Sequence, residues 1–334
     1  MKKFYLWFVA VAAIFFVLGG CASSTSTANT QTPLKDTDAA SEDVQIRIGA
    51  LKGPTSIGLV KLIHEQDNSP YSFTMETQAD VLISGIASGD LDIALIPANV
   101  ASVLYKKTGS GIAVIDINTL GVLYMVSGNK DISTIEDLAG KTVYTTGAGT
   151  TPEYVLRYLL SAKGLSDSVN IEFKSEATEV AAQLSADPSC VGMLPQPFVT
   201  AALAQNDQLS IVLDMTKEWD ALERGSRLVT GVTVVRKAFL EEHKEAVTKF
   251  LTEHKEAVDF VNTDTATAAE YTVNAGIIEK APVAEKAIPF CNIVCISGTE
   301  MKDALSGYLK VLYDQDPASV GGEMPSDDFY WMGE

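Results

Sequence analysis

Histidine is scarce in this chain: His64, His243 and His254 are the only three among 334 residues. The sequence contains no HExxH pair for a zinc hydrolase and no GxSxG elbow for a serine hydrolase. Basic residues are also in short supply, 25 Lys and Arg against 43 Asp and Glu, for a formal charge of −18. That balance excludes nucleic acid as a partner, because neutralising phosphates takes clustered Lys and Arg. It leaves an anionic small molecule open, since a local ring of backbone N–H donors outweighs a surface field screened within about 10 Å. The apolar run over residues 4–18 is too short and wrongly flanked for a membrane span.

What is present begins at that run. Lys2 and Lys3 precede it and Leu18-Gly19-Gly20-Cys21 follows, the pattern of a secretory signal over residues 1–20. The small residues before Cys21 resemble the lipobox of bacterial lipoproteins, which implies a lipid anchor on Cys21. Removing Lys2 and Lys3 with the signal takes the formal charge from −18 to −20. Residues 21–43 are rich in Ser, Thr and Asn without apolar periodicity, and read as a flexible tether. A lipid foot and a leash describe a body held at the extracytoplasmic face of a membrane while it works in water. The 46% apolar content of the chain is that of a globular protein, and its length suits two lobes.

The body is organised around residues 46–63, IRIGALKGPTSIGLVKLI: a short strand, a Gly-Pro-Thr-Ser loop and an amphipathic helix. Such a unit aims free N–H groups of a helix start, plus two hydroxyls, beyond the strand end. Residues 141–160, KTVYTTGAGTTPEYVLRYLL, repeat the move, with Pro152 suited to a first helical turn. Two such units suggest a ligand gripped between two lobes. The candidate contacts are Lys52, Gly53, Pro54, Thr55 and Ser56 in the first loop. In the second they are Thr146, Gly147, Ala148, Gly149, Thr150 and Thr151. Gly140-Lys141-Thr142 is not a P-loop, since Ile135 stands where its first glycine belongs and a strand follows. TGAGTT is not GxGxxG either, so no dinucleotide cofactor is expected.

Between these units, residues 71–77 alternate as a strand and residues 79–88 carry Val81, Leu82 and Ile86 at helical spacing, closed by Gly89. The run DLDIALIP (residues 90–97) is the nearly continuous apolar strand of a parallel sheet covered on both faces. Alternating βαβα implies a doubly wound sheet with its ligand beyond the carboxyl ends of the strands, which puts Pro97 and Asn99 at the cleft edge.

The stretch ISGIASGDLDIALIPANVA, with the lipobox, the ALKGPTSIG loop and the TGAGTTPEY loop, resembles the nitrate/sulfonate/taurine/thiamine-precursor binding proteins of ABC importers. The resemblance runs from about Val44 to the C-terminus. It implies a type II periplasmic-binding-protein-like fold, two doubly wound α/β lobes joined by two crossing strands. Residues 44–124 and 230–334 would form lobe 1, and residues 125–229 lobe 2. It implies a monomer that delivers its ligand to permease and ATPase subunits. It also implies that the proline-bounded turn holding Gln196 and Pro197 lines the cleft, and that residues 289–296 return toward it with Asn292. A neutral Gln196 suits a polar or anionic ligand.

The remaining stretches complete the expectations. Residues 112–126 read as one long strand crossing between lobes, and residues 227–235 as the second crossing, with Gly231 near the hinge. Cys190 reads as a thiol in a buried strand. Cys291 and Cys295 would approach disulfide distance in a helical turn but lie roughly 13 Å apart in a strand, and two buried thiols are favoured. His243 and His254, eleven residues apart in a repeated EHKEAV, read as sharing a solvated helix face. No metal site and no cofactor are expected. Trp219 has a packing or a stacking role, and the aromatics of GGEMPSDDFYW dock on the first lobe. Helix starts and hydroxyls suit an oxyanion such as a sulfonate or carboxylate; Tyr124, Tyr144, Trp219 and Phe290 would suit a pyrimidine instead. Three functions fit these features: a transport receptor, a sensor lipoprotein, or an enzyme on the same fold. Against the enzyme stands the lack of a cysteine–histidine pair in reach by sequence and of the cysteine-rich motif of yeast-type pyrimidine synthases.

Overall fold

Segments of four to nine residues, apolar runs such as IALIP and IVCI among them, form the strands in the computed structural model, which describes residues 44–222 and 225–333. The signal, the Cys21 anchor and the tether expected over residues 1–43 lie outside the described residues. The first four strands are β1 (Ile46–Leu51), β2 (Tyr71–Glu76), β3 (Ile93–Pro97) and β4 (Ile112–Leu120). Five more follow: β5 (Leu123–Ser127), β6 (Thr142–Thr145), β7 (Asn170–Phe173), β8 (Val191–Pro195) and β9 (Ser210–Asp214). The chain then returns through β10 (Val229–Arg236) and β11 (Ile293–Ile296).

Two sheets result, in the orders β11-β4-β10-β3-β1-β2 and β7-β6-β8-β5-β9. Each has a block of three parallel strands, β2-β1-β3 and β7-β6-β8, flanked by an antiparallel strand, β10 or β5. Parallel neighbours need long crossovers, and helices supply them here, including Ala79–Ser88, Thr151–Ala162 and Ala177–Ala186. All five residues of β3 are buried, as expected of a strand covered on both faces. No helix among the described residues is long and apolar enough to cross a membrane.

The first passage between the sheets is two strands, not the single long one expected. β4 ends at Leu120 and β5 begins at Leu123. Gly121 makes the corner, because a Cβ there would lie 2.0 Å from Thr216 Oγ1. Asn292 pins it: its Nδ2 donates to the Gly121 carbonyl and its own carbonyl accepts from Leu120 N–H at 3.1 Å. On the return passage, a Cβ at Gly231 would stand 2.5 Å from both Asn118 Oδ1 and Thr55 Cγ2, and β-bulge irregularities flank it.

The histidines correct a second expectation. His243 is the break between helices Lys237–Glu242 and Lys244–Thr263, and His254 is fully buried. Val247, Phe250, Ala257, Val258 and Val261 form the buried stripe of the longer helix, and position 254 falls within it by helical period. Asp116 on β4 meets the buried imidazole, with Oδ2 3.1 Å from Nδ1.

Cys190 lies just before β8, half-buried rather than within the strand, and Cys295 is also half-buried; both are free thiols, as is the buried Cys291. Trp219 is buried, its indole N–H donating to Ser226, which is the packing role. At the tail, Phe329 and Tyr330 are buried and Trp331 N–H donates to the Val114 carbonyl at 2.9 Å.

Candidate functional site

Residues at or just beyond the ends of β1, β2, β3, β6, β7 and β8 all line one cleft of about 1350 Å³. That is where a doubly wound sheet leaves its loops free to meet a ligand. From the first sheet come Lys52 to Thr55, Pro97 and Thr230; from the second come Thr146, Gly147, Ala148, Thr150 and Thr151.

Local chemistry sets each loop. After β1, Pro54 occupies the first helical turn and Ser56 Oγ donates back to the Gly53 carbonyl at 2.9 Å. Ser56 is therefore a buried brace of the turn and does not line the cleft. Its neighbour Thr55 lines the cleft with a buried Oγ1 that has no hydrogen-bond partner. Thr230 Oγ1, from β10, is in the same condition. Both oxygens are closed off from solvent, so a polar ligand would reach these two orphan hydroxyls only with a local shift of the lining.

After β6, Gly147 and Gly149 take φ of 77° and 73°, a left-handed backbone that glycine adopts without strain. Thr150 Oγ1 donates to the Gly147 carbonyl at 2.7 Å, and Thr151 Oγ1 reaches the Thr230 carbonyl at 3.3 Å, from one sheet to the other. The Glu153 carboxylate accepts from Gly149 N–H at 2.7 Å and from Arg157 Nε at 2.6 Å. Part of this loop's donor capacity is thus already used within the protein.

The other candidates sit behind the lining. Asn99 is buried, with Nδ2 donating to the carbonyls of Gly149 at 3.1 Å and Ser319 at 3.2 Å. Neither Asn99 nor Gly149 lines the cleft, and neither do Gln196 and Pro197. Gln196 Oε1 accepts from Thr200 N–H and Thr200 Oγ1, bracing the helix Phe198–Gln205. Asn292 belongs to the Gly121 corner.

Sequence reasoning missed Thr230 and the loops after β2 and β7, which add Thr77, Gln78, Asp80, Lys174 and Glu176. Those loops lack glycine, and their polar residues look like any solvated turn. Thr230 carried one signal, its place beside the crossing glycine. Lys280 and Glu279 arrive from a segment remote in sequence. The three lysines of the lining oppose three carboxylates, Asp80, Glu176 and Glu279. Lys174 is held above its usual pKa chiefly by its hydrogen bond to Glu172, 2.6 Å away. Lys52 and Lys280 have no ion-pair partner among the described residues. Leu51, Leu123, Phe198, Ile277 and Val283 supply apolar wall, and among the described residues no His or Cys lines the cleft.

Comparison with known proteins gives this geometry a context. A family model described as NMT1/THI5 like matches residues 86–268, over half of the chain. No curated protein sequence matches it. Among solved structures, the chain is similar to an ABC transporter protein from Parabacteroides distasonis at 24% identity and a TM-score of 0.72, over 86% of this chain and 99% of that one. It is similar to the periplasmic aliphatic sulphonate binding protein of Escherichia coli at 15% identity and a TM-score of 0.67, over 86% and 91% of the two chains. It is also similar to the alkanesulfonate-binding protein of Xanthomonas axonopodis pv. citri bound to MOPS, at 15% identity and a TM-score of 0.64, over 85% and 95%. The shared fold is that of periplasmic binding proteins.

Proposed function

The chain belongs to the NMT1/THI5-like family, and from that premise and the cleft we propose that it is the substrate-binding component of an ABC-type importer. It works at the extracytoplasmic face, held through a lipid on Cys21, as a monomer of two lobes, residues 44–124 with 230–334 and residues 125–229. Its ligand is a small polar or anionic nutrient, handed to permease and ATPase subunits. The observation that carries the reading is the cleft itself, walled by one strand–loop–helix unit from each sheet, with Thr55 and Thr230, whose buried hydroxyls lack partners, in its lining.

Helix starts, hydroxyls and the unpaired Lys52 and Lys280 favour an oxyanion, and the solved relatives that bind sulfonates share the fold. A ligand touching both walls favours the closed arrangement by its differential affinity alone, so no covalent step is needed. The reading includes no catalysis, since the lining offers neither a Cys–His nor a Ser–His pair.

The test is a thermal-shift screen of the body from Glu42 onward. The panel holds sulfonates, nitrate, bicarbonate, carboxylates and thiamine-precursor pyrimidines. A ligand at a hundred times its Kd adds about 2.7 kcal/mol of stability. Silence across the panel, with scattering profiles unchanged by every compound, would sink the reading.

A further inference from the structure

Outside the cleft lining, three side chains from three segments converge at the edge of the first sheet. Asp116 comes from β4, Cys295 from β11 and His254 from the helix Lys244–Thr263. One donor atom from each lies within 4.8 Å of the other two, the one such group among the described residues. We propose that Asp116, His254 and Cys295 bind a thiophilic divalent cation of the zinc class. The inference is independent of what the cleft binds.

Distances suit this donor set. A tetrahedral zinc with nitrogen and oxygen near 2.0–2.1 Å and sulfur near 2.3 Å places its ligand atoms roughly 3.3–3.6 Å apart. Asp116 Oδ2 and His254 Nδ1 already stand 3.1 Å apart. From the 4.8 Å bound the sulfur needs to move by roughly 1–1.5 Å, and its residue, on an outer strand of the sheet order, is partly exposed.

Charge and hydrogen bonding point the same way. Asp116 and His254 are fully buried, and no Lys or Arg among the described residues pairs with that carboxylate. A carboxylate, a thiolate, a neutral imidazole and a divalent cation sum to zero, which a dry site requires. Thr233 Oγ1 donates to Asp116 Oδ1 at 2.8 Å and itself accepts from Asn118 Nδ2 at 3.1 Å. This is the outer support that orients a ligating carboxylate. Bound metal would fasten the edge strand and the helix to β4.

The test uses chelator-treated protein and Co²⁺. We expect one equivalent of Co²⁺ to give a near-ultraviolet thiolate-to-cobalt charge-transfer band. Cys295→Ser abolishes the band while Cys190→Ser keeps it. Zn²⁺ displaces the cobalt and raises the unfolding midpoint of the wild type by a few degrees, but not that of Cys295→Ser. Wild-type protein without the band, or a band that survives Cys295→Ser, overturns the proposal and leaves a buried His–Asp pair beside a spare thiol. Because the wild-type spectrum is read first, a variant that failed to fold would not shield the proposal.

Discussion

Asn99, at the start of the helix after β3, donates from Nδ2 to the carbonyl of Gly149, in the loop after β6, at 3.1 Å. The same nitrogen donates to Ser319 at 3.2 Å, so one amide ties the first sheet, the second sheet's glycine loop and the C-terminal segment together. Asn99→Ala removes both bonds and strands the two carbonyls. We expect a loss of about 1–3 kcal/mol in urea unfolding. Scattering should also show an enlarged radius in the ligand-free protein. An unchanged unfolding midpoint would remove Asn99 as the tie.

The cleft floor allows a prediction with opposite signs for stability and binding. Thr55 and Thr230 carry hydroxyls that are buried without partners, so Thr55→Val and Thr230→Val delete nothing the folded protein uses. Stability should hold or rise slightly. Affinity for the ligand found by thermal shift should fall by about 1 kcal/mol per hydroxyl, roughly five-fold, measured by calorimetry. Valine variants with unchanged affinity would take these residues out of the ligand contact.

Gly231 marks a closer limit. An alanine Cβ there would meet Asn118 Oδ1 and Thr55 Cγ2 at 2.5 Å. Gly231→Ala should cost about 1–3 kcal/mol through overpacking and weaken ligand binding by displacing Thr55. Gly53→Ala, on the same side of the cleft, has nothing within 4 Å of its new Cβ and serves as the control for stability. Equal effects of the two substitutions in chemical denaturation would refute this account.

Acid should loosen the first sheet through Asp92. Burial alone would raise this carboxyl's pKa, but Arg47, by side chain and backbone N–H, and Arg236 hold it below the usual range. A pKa lower in the folded than in the unfolded chain gives stability that is complete above the unfolded value of about 3.9. That stability is lost as pH falls through the folded value. Asp92→Asn should therefore cost on the order of 2 kcal/mol at pH 7, with the gap to wild type closing as pH drops below about 4. Urea titrations at a series of pH values measure the gap, and one that stayed constant would exclude the linkage.

Much of this architecture could be read locally. The two strand–loop–helix units, the buried run of β3 and the Gly89 stop depend on period, turn chemistry and capping, which neighbours in sequence supply. The sequence also carries a signal for the burial of His254: position 254 belongs to the apolar stripe of Val247, Phe250, Ala257 and Val261. Reading the repeated EHKEAV as one continuous helix hid it, because the helix restarts after His243.

Local order thus determined where strands end in glycine, threonine and proline, and so which loops were available to face a ligand. It did not determine which polar side chains in those loops stay free. Ser56 bonds its own turn, Gln196 braces the next helix, and Asn99 spans fifty positions to Gly149, while Thr55 and Thr230 are left without partners. A hydroxyl or amide takes whichever partner the folded chain brings within about 3 Å. Strand order across the two sheets makes that choice. The same strand order set Cys295, His254 and Asp116 side by side from segments up to 179 positions apart.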